Sequence, residues 1–412
     1  MLLTIIVQQK QRSDHNMQAQ NSTKRAYIAF LIFNFAFFMM DTTSSYFTIY
    51  LNEIGLSKSL IGIISGISAM AAMLAQPVIG MLADRSRSKN RLLQGLILIT
   101  ALLYPLILVN KSFIFILLVY TAYCCFRRAQ PSLNTSMSVE FAEISRRDYG
   151  PIRMMGALGY AIAMYFVGQI AGLQDGTRLT FFTYVGFCVL NILLIFLLPP
   201  IEGHNRRETG RQLPMRAILK NRPILLLIVY MMFYALAQGL YFSYFSIYFT
   251  DNLGGSKSLY GTMLSVGAMC EIPFLFLADW LVRKVGTKRI LLILGILSGT
   301  RWLLTYLVPS PEGQFAVQLM NCINMLNSVA VSITLSRMVA PQFKTTIHTL
   351  LYTFESVVSI IISSFLGGFF ADWVGIRPMF LIAAIICYSA TIVFPGLLIK
   401  QQDLEQQQNI TA

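Results

Sequence analysis

Seven ionisable side chains sit deep within long apolar runs of this 412-residue chain: Asp41, Arg127, Arg128, Glu271, Arg301, Arg337 and Glu355. A charge at the centre of a bilayer costs about 2.5–3.5 kcal/mol on insertion scales, so each needs a partner or a task. A carboxyl in that setting can carry a proton or accept a hydrogen bond from a solute, and an arginine can hold a counter-ion. Glu271 is the leading carboxyl, because it falls near mid-depth and Pro273 two positions on loosens the local backbone ladder. Arg301 and Arg127 are its expected cationic partners, and Glu355 is the second choice of proton carrier. Asp41 is followed by Thr42, Thr43, Ser44 and Ser45, a polar patch that suggests a wet wall. Arg127 and Arg128 point about 100° apart on a helix, so one of them faces a cavity squarely, and Arg127 is the choice. Arg337 lies near the end of its run and reaches the interface. The competing reading of the whole set is a group of ion pairs that only hold helices together.

Two uncharged stripes accompany these groups. Tyr234, Gln238 and Tyr241 recur at helical spacing, and so do Asn321, Asn324 and Asn327, as expected for residues lining a central path. Rings and amides of this kind suit a ring-shaped or hydroxylated solute. Gly62 with Gly66, and Gly168 with Gly172, have small-xxx-small spacing and need only close helix packing as their reason. The six cysteines form no CxxC pair, and His15, His204 and His348 are too scattered for a metal site, so no metal and no cofactor is expected.

The elements that carry these residues are membrane helices. Hydrophobic residues make up 56% of the chain and charged ones only 12%, against about a quarter charged in soluble proteins. Windows of about 20 apolar residues place twelve spans, near 26–51, 60–83, 92–109, 113–138, 153–173, 179–198, 223–250, 258–282, 289–308, 314–340, 346–371 and 376–398. Backbone amides in lipid must be satisfied within their own segment, which leaves helices as the fitting structure. The net charge of +14 is an orientation signal and not a nucleic-acid footprint. Basic clusters at Arg85–Arg91, Arg146–Arg153, Arg206–Arg222 and Arg283–Arg289 fall on one side, and the other side holds Lys58, Lys111, Arg178, Lys257 and Arg377. By the positive-inside bias both termini are cytoplasmic.

The expected division is a cytoplasmic tail at 1–25, a first six-helix bundle at 26–198, a cytoplasmic linker at 199–222, a second bundle at 223–398 and a tail at 399–412. Met17 is an alternative start to Met1. The two bundles echo one another. Ser57-Lys58-Ser59-Leu60 with Gly62 matches Ser256-Lys257-Ser258-Leu259 with Gly261, and Leu82, Lys89 and Leu92 match Leu281, Lys288 and Leu291. Glu271 faces Ala72 in this register, so the scaffold repeats while the charge does not. Paired halves of this kind place a binding site at the repeat interface. The fold class is therefore all-α and integral to the membrane, with twelve helices in two pseudo-symmetric bundles.

Between the second and third spans, Gly80, Leu82, Asp84, Arg85 and Lys89 stand at the positions of a G-x-L-x-D-R-x-G-R-K turn. Here the chain resembles the major facilitator superfamily. Arg87 replaces that motif's second glycine, and Arg283 stands where the second half would repeat Asp84. The resemblance implies an inner gate made by Gly80, Asp84, Arg85 and Lys89 against helix ends of the other half. Tyr149-Gly150-Pro151-Ile152-Arg153 with Gly156 and Gly159, Glu271-Ile272-Pro273 and Arg301-Trp302-Leu303 are similar to the branch holding phenylpropionate, nucleoside and oligosaccharide proton symporters. That branch often has an aspartate in its fourth helix, where this chain has Asn134. The resemblance implies a bacterial plasma-membrane permease working as a monomer, taking up a small solute (sugar, nucleoside or aromatic acid) with a proton. A proton-coupled exporter is the near rival, with a non-transporting receptor or scaffold as the second alternative. The sequence holds no constellation for an enzyme.

Overall fold

The computed structural model describes residues 24–201, 222–322, 326–327, 329–332, 334 and 359–392. Apolar runs become helices wherever they are described. The first half of the chain forms α1 (Lys24–Glu53), α2 (Lys58–Arg85), α3 (Lys89–Leu106), α4 (Phe113–Ser145), α5 (Gly150–Ala171) and α6 (Gly176–Ile195). The second half forms α7 (Arg222–Ile247), α8 (Lys257–Val285), α9 (Thr287–Leu307), α10 (Pro311–Gln318), α11 (Ser359–Trp373) and α12 (Arg377–Ile392). Among the described residues, eight helices are long and apolar enough to cross a membrane, with a mean hydropathy reaching 2.4 in α3 and its extension to Val109. The protein is therefore a multi-pass membrane protein.

Its burial pattern is that of a molecule solvated by lipid. Leu74, Leu102, Phe196 and Leu366 are exposed, while Arg127, Gln130, Arg301 and Gln314 are buried. Serine caps start the helices: Ser57 accepts from the Leu60 amide at 3.3 Å, Ser256 from that of Leu259 at 3.1 Å, and Ser88 from that of Arg91 at 3.4 Å. Each removes one of the unpaired amides that a helix N-terminus leaves. α4 is broken in two, because Phe113–Arg127 ends before Gln130–Ser145 begins. Pro131 has no amide hydrogen for the ladder, and at the break the Arg128 carbonyl accepts from Gln76 Nε2 at 3.0 Å.

The two halves meet most closely at the end that carries Ser57 and Ser256, here named the serine end. Two seams close it, α2 against α11 and α5 against α8. Gly261 lies so near Gly168 that a Cβ on either would enter the other helix, and a Cβ on Gly62 would strike the Ser364 carbonyl and the Tyr244 hydroxyl. The small-xxx-small glycines are therefore contacts between halves. Polar ties reinforce them. The Asp372 carboxylate accepts the amides of Lys58 at 3.0 Å and Ser59 at 2.7 Å, Ser258 donates to Gln169 at 2.6 Å, and Lys257 pairs with Glu53.

Candidate functional site: two charged nodes and an open cavity

The first node joins α1 to α4. Arg127 Nη2 meets Asp41 Oδ1 at 2.5 Å, Nη1 donates to Gln130 Oε1 at 3.1 Å, and the guanidinium lies 5.5 Å from the Phe37 ring centroid. Gln130 is itself fixed on α3, donating to the Leu96 carbonyl at 3.0 Å and to Thr100 at 3.1 Å. Both branches of the guanidinium are thereby occupied. The hydroxyls after Asp41 turn back on the helix: Thr42 donates to the Met39 carbonyl at 2.6 Å, Thr43 to that of Met40 at 3.1 Å and Ser44 to that of Asp41 at 2.7 Å. Of these three, Ser44 lines a cavity.

The second node lies on α7, α8, α9, α10 and the 3-10 turn Leu319–Asn321 that follows α10. Asn321 Nδ2 donates to Glu271 Oε1 at 2.5 Å. Arg301, only 1% exposed, donates through Nε and Nη2 to Gln318 Oε1 at 3.1 and 2.5 Å and lies 4.8 Å from the Tyr241 ring centroid and 4.4 Å from that of Trp302. A guanidinium over two aromatic faces gains cation–π attraction, stronger where water is absent. Glu271 is within electrostatic range of Arg301 and Arg153, yet forms an ion pair with neither among the described residues.

This differs from the pairing the sequence suggests. Glu271 is not joined to Arg301 or Arg127, because Arg127 belongs to Asp41 and Arg301 is held by a neutral amide and two rings. Tyr160 on α5 stands between the nodes, within electrostatic range of Asp41, Tyr241 and Glu271. Neither Tyr160 nor Gln130, Gln318 and Trp302 stands out as a site residue in the sequence. A period of 3.6 carries a trace of the cavity wall: Tyr120, Tyr123 and Arg127 recur at i, i+3 and i+7 and all line it.

The stripes divide. Tyr241 stacks on Phe245 at 4.5 Å, and Tyr234 accepts from Ser298 at 3.3 Å; both tyrosines are buried. Gln238 has its side-chain oxygen buried with no hydrogen-bond partner among the described residues. Asn321 faces Glu271, whereas Asn327 accepts from Tyr230 at 3.3 Å. Asn324 and Glu355 lie outside the described residues.

A cavity of about 1200 Å³ runs from the first node to the end opposite the serine seams, here the arginine end. Asp41, Arg127 and Arg128 are at its depth, and Gly80, Asp84 and Lys89 at its mouth. The four residues of the expected gate do different things here. Lys89 is buried against Glu140 at 2.7 Å, inside the first half, while Asp84 and Arg85 are exposed. Asp84 makes no hydrogen bond or ion pair among the described residues. Lys89 and Asn90 also grip the chain leaving α6: the Lys89 amide donates to the Ile201 carbonyl at 2.9 Å, and Asn90 holds the Ile201 amide at 3.1 Å.

The chain is similar to an uncharacterized transporter, YwbF, of Bacillus subtilis, at 24% identity over 90% of this chain and 92% of the other. It is similar to the probable 3-phenylpropionic acid transporter of Escherichia coli, at 23% identity over 87% of this chain and 94% of that protein. Among solved structures, the nucleoside transporter NupG superposes with a TM-score of 0.77 at 16% identity, covering 90% of this chain and 99% of that one. With residues 26–382 matching the MFS_1 like family, the chain belongs to that family, a transporter family of the major facilitator fold.

Proposed function

We propose that the protein is a secondary active transporter that takes up a small organic solute with a proton by alternating access. The observation that carries this reading is the unequal closure of the two ends. Glycine seams lock the halves at the serine end, while a cavity reaches the charged interior from the arginine end. In this reading the serine end faces outward, both termini are cytoplasmic, and the full chain makes twelve spans in two six-helix halves in a bacterial plasma membrane. Glu271 takes the proton or binds solute, with Asp41 and Glu355 as the other carboxylates. Arg127 and Arg301 are the cations, and the tyrosines and asparagines form walls met in other states. The relatives' names, a transporter of a phenylpropionic acid and a nucleoside transporter among them, support uptake of a ring-bearing solute.

Reconstituted vesicles with an imposed inward proton gradient provide the test. Solute accumulation that collapses when the gradient is dissipated is the expected result. Equilibration without accumulation would make the protein a facilitator, and solute extrusion would reverse its direction.

A further inference from the structure

Among the described residues, three of the guanidiniums that face the interior of the bundle have a carboxylate in contact or in electrostatic range, and Arg128 pairs with none. Arg127 is held by Asp41 and Gln130. Arg153 stacks over Phe38 at 4.8 Å with Glu271 in range. Arg301 has Gln318, two rings and the same carboxylate in range, while its buried Nη1 makes no hydrogen bond among the described residues. Arg128 is exposed to the 1200 Å³ cavity, and its guanidinium makes no hydrogen bond or ion pair among the described residues. Arg128 continues the helical turn of Arg127, its amide donating to the Cys124 carbonyl at 3.0 Å, so the step of about 100° between neighbours puts Arg127 into the bundle and Arg128 into the open space.

Orientation in the bilayer does not explain this charge. Arg128 stands near the middle of the 33-residue α4, more than about 20 Å of helix from either end, farther than a snorkelling side chain reaches. While the cavity is open, water solvates the group. When the arginine end closes, that water leaves, and an uncompensated charge opposes the movement. The counter-ion must then arrive with the solute.

We infer that the transported solute is an organic anion and that Arg128 receives its acidic group. A planar guanidinium binds a carboxylate or phosphate through two parallel hydrogen bonds, which gives both energy and orientation. Tyr120, Tyr123 and Phe38 on the same cavity offer flat apolar walls to the rest of the molecule. The inference rests on the transporter reading and narrows it, since neutral sugars and nucleosides leave Arg128 uncompensated.

Thermal stabilisation of the purified full chain tests it, because binding to the folded state raises apparent stability by mass action. The probes are matched acidic and neutral pairs: benzoate with its isostere benzamide, glucuronate with glucose, and uridine monophosphate with uridine, extended to a panel of carboxylates and their isosteric amides. In the unmodified protein, acidic members stabilise and their neutral twins do not. Arg128→Gln weakens binding of the acidic member at least tenfold, and Arg128→Lys by less, since lysine keeps the charge but not the fork. The comparison of twins needs no variant, so poor folding of Arg128→Gln leaves the inference exposed to refutation. Neutral members binding as tightly as their acidic twins overturn it, as does Arg128→Gln binding the acid within twofold. Either result leaves the transporter reading standing. Silence from every member of both sets removes both.

Discussion

Glu271 and Arg127 show how far a buried charge can be read from its position alone. Each needs compensation, and each has it, but from partners set by the three-dimensional path of the helices. Asp41 and Arg127 are 86 residues apart in sequence, and no periodicity links them. Asp41→Asn removes the counter-charge from a buried guanidinium. Breaking a fully buried pair costs about 3–5 kcal/mol, but the Asp41 side chain is 35% exposed, so about 1–2 kcal/mol is expected after water screening. The check is thermal unfolding in detergent, with Arg127→Met and the double variant completing a cycle. Additive effects would mean that the pair contributes no coupling. At the second node, Glu271→Gln keeps the amide-bonding geometry toward Asn321 while removing the proton site. It is expected to abolish gradient-driven accumulation and to spare solute exchange. Normal pH-dependent accumulation in that variant makes Glu271 structural and shifts the proton to Asp41 or Glu355. The ionisable residues are legible in the sequence because lipid makes them conspicuous. Gln130, Gln318 and Trp302 are not, since an amide or an indole within an apolar run raises no alarm until its neighbour is known.

The helices themselves are plain from composition, and the internal repeat points to paired halves. What the repeat is for becomes clear only from packing. Its best-kept stretch, Ser-Lys-Ser-Leu-x-Gly, is the first turn of α2 and of α8, the two helices that close the serine end. Ser59 donates to Asp372 at 2.5 Å on α11, and Ser258 to Gln169 on α5. The two seams thus use the same serine with different acceptors, a carboxylate in one and an amide in the other. Glycine spacing alone reads as ordinary helix packing, because spacing does not say which helix is being met. Asp372 also accepts two of the unpaired amides at the α2 N-terminus, where the helix dipole favours negative charge. Asp372→Asn keeps one acceptor and loses the charge. With its carboxylate exposed, the effect is about 1 kcal/mol, roughly a fivefold shift toward the serine-end-open arrangement. A cysteine placed at Thr48, whose hydroxyl meets Ser246 across the halves at 2.8 Å, reports that shift as faster labelling by an impermeant maleimide. Labelling rates unchanged by Asp372→Asn would leave the α2–α11 seam to glycine packing alone.

A transporter needs two closures that exclude one another, and among the described residues this structure presents one. The serine end is tied by Asp372, Gln169 and the Lys257–Glu53 pair, so the state that would engage Asp84 is the opposite one. That accounts for the exposed Asp84, without a partner among the described residues, beside a well-anchored Lys89. The lysine braces α3 against α4 within its own half through Glu140, and so it moves with that half as a rigid part. In the proposed gate, Asp84 at the mouth meets a helix end of the other half, where a carboxylate gains from the dipole. An equilibrium shifts only by the difference in interaction between its two states, and in the proposed gate Asp84 interacts in one of them. Asp84→Asn is therefore expected to leave thermal stability in the arginine-end-open form within about 0.5 kcal/mol, as for a surface change. Solute affinity measured in that form should be unchanged or slightly tighter, since the competing closed state is depleted. Turnover should fall, because the arginine end closes less often. Stopped-flow uptake at saturating solute, normalised to protein in the vesicles, separates these effects. Reduced turnover with unchanged binding assigns Asp84 to the second closure. Unaltered turnover at normal expression removes it from the cycle and leaves the arginine end to be closed by other contacts.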